Sequence, residues 1–292
     1  MSRADREMAR GLIQKLELGR TPQEQRADFD AQFLELPVGD DVTLTPSTLG
    51  GVPALDVVVD GADGGGVILY LHGGAYVIGS ARTGANLAVP LARRTGVRAI
   101  SLDYRLAPEH PFPAAVDDAL AAYRELIGTG QRVVLAGDSA GGGLALATLL
   151  AARRAGVPMP AGAVLFSPWT DLTLSGASMD GRSDDDPLFT RANMAESAAF
   201  YLGDADPRDE LASPVLADLT GLPPLLIQVG TAEVLLDDSL RLVTRAAECE
   251  VDVSLDVLAG APHVYQYFAA MVPEADEALD HAATFLKARL AE

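Results

Sequence analysis

Apolar residues recur at helical spacing at Met8, Leu12, Ile13 and Leu16, which predicts an amphipathic helix from about Arg3 to Leu18. Thr21-Pro22-Gln23-Glu24 reads as a capping box with proline at the first helical position, opening a second helix through Phe29 and Phe33. Short β-branched runs follow at Leu55–Val59, Val67–Leu71, Val97–Leu102, Arg132–Gly137, Gly162–Phe166, Leu225–Val229 and Val251–Val257. The early runs suit hairpins. The later ones alternate with the Ala/Leu-rich helical stretches Ala115–Leu126, Gly142–Arg154 and Ser239–Glu248, and this alternation predicts an α/β fold. Its sheet should be mainly parallel and covered by helices on both faces.

Between Thr170 and Leu222 the periodicity lapses into polar turns, including Asp184-Asp185-Asp186-Pro187, around a helix near Arg191–Leu202. This segment reads as an insertion. The chain has no repeats and no long low-complexity linker, so the expected plan is one catalytic domain over residues 46–292. Residues 1–45 and the insertion at about 170–222 add extra helices to it.

Charge and cysteine content narrow the function classes. Forty-one acidic against 22 basic residues give a formal charge of −19 with no Lys/Arg cluster, a poor match to nucleic acid or anionic membranes. Cys249 is the only cysteine, so no intramolecular disulfide forms, and its helical setting predicts a half-buried structural residue. Charges run through the N-terminal 20 residues and no stretch approaches 18 uncharged apolar residues, so the expectation is a soluble cytoplasmic protein.

The chemistry concentrates in three places. Gly137-Asp138-Ser139-Ala140-Gly141 fits G-x-S-x-G between a predicted strand and a predicted helix, where a tight turn lifts the Ser139 hydroxyl out of the sheet. The bland alternative is a glycine-rich β-to-α turn, and the company Ser139 keeps argues against it. After Val67–Leu71 comes His72-Gly73-Gly74-Ala75-Tyr76, a loop suited to aim backbone N–H groups at a developing oxyanion. The candidate donors are Gly73, Gly74, Ala75 and Ala140; His72 is expected to hold the loop in shape.

Two histidines follow the serine. His281 falls off the Leu279, Ala282, Leu286, Leu290 stripe of a terminal helix and is expected to be solvated, whereas His263 stands in a loop directly after the last predicted strand. The acid belongs after Leu225–Val229, in a segment that offers Glu233 as first choice and Asp237 as rival. Asp237 falls at the start of a helix, where capping is the natural role.

These residues, with Asp103-Tyr104-Arg105-Leu106-Ala107-Pro108-Glu109 and Ser167-Pro168-Trp169, resemble the hormone-sensitive-lipase-like branch of the α/β-hydrolases, small bacterial carboxylesterases with HGG and GDSAGG motifs. The likeness runs from about His72 to Phe268. Two departures stand out: Ala75 replaces a third glycine, a path tolerated if its φ stays below zero, and the acid is glutamate rather than aspartate. The resemblance implies a cap over the acyl pocket built from residues 1–45 and the insertion, hydrolysis of short to medium acyl esters without cofactor or metal, and pairing through the last strand into a homodimer. It also implies that Asp103, Arg105 and Glu109 form a structural charge network, that Trp169 is core or pocket wall, and that Ala107-Pro108 and Phe112-Pro113 are candidate cis bonds. Lactone or amide hydrolysis by the same triad stays open. A non-catalytic ligand receptor on the same scaffold is the reading from another class, and the presence of His263 speaks against it.

Overall fold

The structure, a computed structural model, describes residues 1–13, 21–34, 38–62 and 65–291. Helix α1 (Arg3–Ile13) and helix α2 (Pro22–Leu34) come first. The predicted continuation of the first helix to Leu18, with Leu16, lies outside the described residues. The capping box is present: Glu24 N–H donates to Thr21 Oγ1 at 3.3 Å and Thr21 N–H to the Glu24 carboxylate at 3.0 Å.

The hairpin β1 (Val42–Leu49) and β2 (Val52–Val59) leads into β3 (Gly66–Leu71), α3 (Ala81–Thr95), β4 (Arg98–Leu102), α4 (Ala114–Gly128), β5 (Arg132–Asp138) and α5 (Ala140–Arg154). After β6 (Ala163–Phe166) come the short α6 (Ser178–Gly181) and α7 (Arg191–Leu202), then β7 (Leu225–Gly230), α8 (Leu236–Glu248), β8 (Val253–Leu258) and α9 (Pro273–Ala291). The eight strands form one sheet in the order β1-β2-β4-β3-β5-β6-β7-β8. β2 is antiparallel to both β1 and β4, and every pairing from β4 onward is parallel.

The division at residue 45 cuts through β1, which runs in register with β2 from Val42↔Val59 to Leu49↔Val52. This strand escapes the hydrophobic pattern because it is an edge: its residues are largely exposed, and Pro46 sits where an edge strand tolerates a missing donor. Helix α3, also without a predicted counterpart, caps itself through Ser80 and Thr83.

The central strands β3, β5, β6 and β7 are buried along their whole length except the first residue of β5, as parallel strands covered on both faces should be. Successive side chains point to opposite faces. Val67, Leu69, Leu71, Val133, Leu135, Leu165 and Ile227 pack with the inner residues of α4, α5 and α8, while Ile68, Tyr70, Val134, Ala136, Val164, Phe166 and Leu226 pack with α3 and α9. Leu279, Ala282 and Leu286 form the predicted buried stripe of α9. Such a frame leaves the carboxyl ends of the parallel strands as the place where loops and ligands meet.

Candidate active site

Ser139 stands between β5 and α5 with φ 53° and ψ −122°, a conformation costly for any residue with a side chain. Two glycines make the turn possible. A Cβ on Gly137 would lie 2.4 Å from Gly141 O, and one on Gly141 would lie 2.0 Å from Leu71 O. Ser139 N–H donates to Phe166 O at 2.8 Å, and its carbonyl accepts from Trp169 N–H and Gly143 N–H. The backbone is thus held from β6 and from α5, with Ser139 at 6% exposure. Ala140 is the first residue of α5, so its N–H has no acceptor within the helix.

The loop after β3 approaches the elbow through Asp138. This buried carboxylate accepts from Gly73 N–H at 3.0 Å, Tyr70 O–H at 2.7 Å and Tyr267 O–H at 3.3 Å. Gly73 N–H, a candidate oxyanion donor with Gly74, Ala75 and Ala140, is thus already paired with Asp138 in this structure. The condition of negative φ at Ala75 is not met, since Ala75 has φ 53° and Tyr76 φ 64°. The reversal that sets Gly74 O to accept from both Val77 N–H and Ile78 N–H at 2.9 Å carries these two residues through the left-handed region, at a cost of about 1–2 kcal/mol each.

His72 acts as the sequence suggests: Nδ1 lies 2.7 Å from Gly73 O and the ring stacks on Tyr104 at 4.2 Å. From the N-terminal segment, Arg26 of α2 reaches Val77 O at 2.7 Å, Ala107 O at 2.6 Å and the Glu109 carboxylate. Asp103, Arg105 and Glu109 are structural but do not join one another. Asp103 accepts from Ala81 N–H, Arg105 pairs with Asp118 of α4, and Glu109 pairs with Arg26. Both named prolyl bonds are cis, and Trp169 is wholly buried.

His263 follows β8, and its Nδ1 lies 2.7 Å from Glu233 Oε2. The other oxygen of Glu233 accepts from Ser167 O–H and Gly230 N–H, both at 2.8 Å, so each oxygen of the fully buried carboxylate has a partner. Ser167 Oγ in turn accepts from Val264 N–H at 3.1 Å. One hydroxyl at the end of β6 thus ties the acid to the histidine loop beside the Ser139 elbow. Burial disfavours the His263 imidazolium, but the carboxylates of Glu233, Asp186 and Asp138, Glu233 foremost, together outweigh it and raise the pKa above the usual imidazole value. Nε2 is buried with no protein partner.

Asp237 lies elsewhere. In the first turn of α8 it accepts from Ser178 N–H of α6 at 2.9 Å, so it bridges two helices and, against expectation, does not cap its own, which has no side-chain cap. His281 is half exposed and bonded to Asp256 at 2.6 Å rather than merely solvated, and Cys249 is half-buried at the end of α8.

The insertion reaches the same region. Phe189 meets the His263 ring edge-on, with centroids 5.0 Å apart and planes at 80°, and Tyr201 of α7 stacks on Tyr76 at 3.7 Å. Sequence reasoning passed over Asp138, Ser167 and Asp186; their signal was a polar residue at the end of a buried strand or inside a turn-rich insertion. Among the described residues no cluster of three or more His, Cys, Asp or Glu side chains suits a metal. No described helix is long and apolar enough to cross a membrane.

Comparison with known proteins agrees with this architecture. A profile of the alpha/beta hydrolase fold family matches residues 68–267. The chain is 44% identical over 255 residues to an acetyl-hydrolase of Streptomyces hygroscopicus, covering 83% of this chain and 85% of that one. It is 36% identical over 273 residues to an esterase of Acinetobacter venetianus, covering 92% and 90%. The crystal structure of an esterase from the bacterial hormone-sensitive lipase family superposes with a TM-score of 0.96 at 42% identity, covering 99% of both chains. The chain belongs to the alpha/beta hydrolase fold family and, within it, to the bacterial hormone-sensitive lipase group of carboxylic ester hydrolases.

Proposed function

We propose that the protein hydrolyses short to medium acyl esters through a Ser139 acyl-enzyme, with His263 as general base and Glu233 as the acid that orients it. The observation that carries this reading is the 2.7 Å contact of His263 Nδ1 with a fully buried Glu233 carboxylate whose other oxygen is held by two donors. That contact fixes the tautomer and leaves Nε2 bare to take the serine proton.

As Ser139 Oγ attacks the ester carbonyl, its proton passes to Nε2, and the imidazolium is stabilised by Glu233. The tetrahedral oxyanion is met by N–H groups of Gly74, Ala75 and Ala140, the last at the positive end of α5. Collapse expels the alcohol, which takes the proton from Nε2 and leaves the acyl-enzyme. Water, deprotonated by His263, then attacks the acyl carbon, and collapse breaks the bond to Ser139 Oγ, which takes the proton back from Nε2 as the acid leaves. This path uses no metal or cofactor.

The short-chain preference rests on the cap. The N-terminal helices set Arg26 on the loop after β3, and the insertion sets Phe189 against His263 and Tyr201 against Tyr76, so bulky side chains from both segments reach the loops that flank the proposed base. We further propose a homodimer through β8, whose outer edge pairs with no strand of the sheet and where Val257 is 46% exposed; light scattering at micromolar concentration tests it. The small-molecule ester is the proposed partner, and the cytoplasm the proposed compartment.

The decisive experiment on the triad is labelling with an organophosphonate. One adduct, on Ser139, with turnover abolished in Ser139→Ala and the fold retained, is the expected result. An adduct on another residue overturns the assignment.

A further inference from the structure

Asp186 lies in the polar turn of the insertion, yet it is 7% exposed, and its carboxylate is spent on three backbone donors. Oδ1 accepts from Leu188 N–H at 2.8 Å and Phe189 N–H at 2.9 Å. Oδ2 accepts from Val234 N–H at 2.8 Å. Val234 immediately follows Glu233, and Phe189 is the ring that meets His263 edge-on. One side chain therefore joins the insertion to both partners of the proposed base.

We infer that Asp186 is a positioning residue for ester hydrolysis: it holds the turn that carries Glu233 and seats Phe189 against His263, so that the cap and the base are set together. The inference rests on the proposed roles of Ser139, His263 and Glu233 and deepens them.

A neutral residue here cannot serve equally. The amide of asparagine offers one acceptor atom, so either the Val234 N–H or the pair from Leu188 and Phe189 meets an N–H₂ group instead. Loss of the first lets the Glu233 turn shift. Loss of the second frees the Phe189 ring and widens the arc through which the imidazole can tilt. Small displacements of a base away from attack geometry are costly in rate even when the fold persists.

There is also an electrostatic consequence. The carboxylates that act on His263 are Glu233, Asp186 and Asp138, and all three favour its charged form. Burial pushes the Asp186 carboxyl up, while its N–H donors and the His263 charge pull it down. Removing the Asp186 charge lowers the pKa of the imidazole, so the free enzyme keeps a neutral base to lower pH. The acid limb of kcat/KM then moves downward, a readout that a purely structural contact would not move.

The test compares Asp186→Asn, Asp186→Glu and Ser139→Ala with the full-length wild type on a soluble aryl butyrate, with thermal melts in parallel. Asp186→Asn is expected to lower kcat at least about tenfold with KM within about twofold, and to shift the acid limb of kcat/KM to lower pH. Asp186→Glu keeps the charge and is expected to leave the acid limb in place while recovering only part of kcat. Wild-type kcat and acid limb in a folded Asp186→Asn overturn the inference, as does a fall in melting temperature alone. If Asp186→Asn does not fold, wild-type kcat in Asp186→Glu overturns it. A Ser139→Ala protein that still turns over would refute the triad itself, a result separate from any outcome at Asp186.

Discussion

Replacing Glu233 by glutamine isolates the orienting role of the acid with almost no change of shape. The side chain is fully buried, with Oε1 accepting from Ser167 and Gly230 and Oε2 facing His263. A glutamine keeps the first two bonds only if its carbonyl oxygen takes the place of Oε1, which turns its N–H₂ toward Nδ1. The opposite orientation sets N–H₂ against the Gly230 N–H and leaves a buried donor unmet, at about 1–3 kcal/mol. The first orientation therefore prevails, and it forces Nδ1 to accept and Nε2 to carry the proton. An imidazole in that tautomer cannot take a proton from Ser139. The expected loss in kcat is up to about ten-thousandfold, equivalent to about 5.5 kcal/mol of transition-state stabilisation. Asp237→Asn, where α8 meets the Ser178 N–H of α6, should cost about 1 kcal/mol of stability and leave kcat within about twofold. Initial rates on an activated acetate or butyrate ester, with circular dichroism melts, check both. If Asp237→Asn proves the crippled variant, or Glu233→Gln keeps more than about a tenth of wild-type kcat, the argument from tautomer control is wrong.

Three further outcomes follow from the structure. Because Glu233 raises the His263 pKa, the acid limb of kcat/KM should lie above the ordinary imidazole value of about 6.5, and a pH–rate profile that places it lower contradicts the buried pairing. Burial raises the Asp238 carboxyl to about 8, against N–H donors from Thr170 and Asp171 that pull it down. The folded state thus holds a proton that the unfolded chain loses near pH about 4, and this contribution to stability is lost as pH rises through about 8. The melting temperature of Asp238→Asn relative to wild type should accordingly improve between pH 5 and 8 or so, and a gap independent of pH rules the effect out. Finally, a butyryl ester should be hydrolysed faster than a palmitoyl ester, both kept in solution; the reverse order removes the crowded cap from the account.

The parallel half of the fold was legible because strands buried on both faces read as unbroken apolar runs, and because the glycines around Ser139 answer a steric demand that only glycine meets. The same logic found His263 and Glu233 at strand ends. What stayed hidden was governed by partners distant in sequence. β1 carries the polar, proline-containing pattern of an exposed edge, so its membership in the sheet is visible only in its pairing with β2. The commitment of Gly73 N–H depends on a carboxylate 65 residues away, and Asp186 meets Val234 across 48. The sequence leaves the sign of φ at Ala75 as a condition, and the loop reversal decides it as positive.

Every group assigned to the reaction sits just beyond the carboxyl end of β3, β5, β7 or β8, and Ser167 just beyond β6. None of the groups assigned to the proposed reaction lies at the opposite rim of the sheet. There the exposed turns before β5, β6 and β7 carry Gly130, Gly156 and Gly221, each at positive φ with open space where a side chain would project. The molecule is thus divided into a working end, where a single added atom collides with backbone, and a permissive end some strand-length away. A peptide tag, a surface tether or a fused domain spliced into one of those turns would leave the reacting groups in place, because the strands between them transmit register and little else.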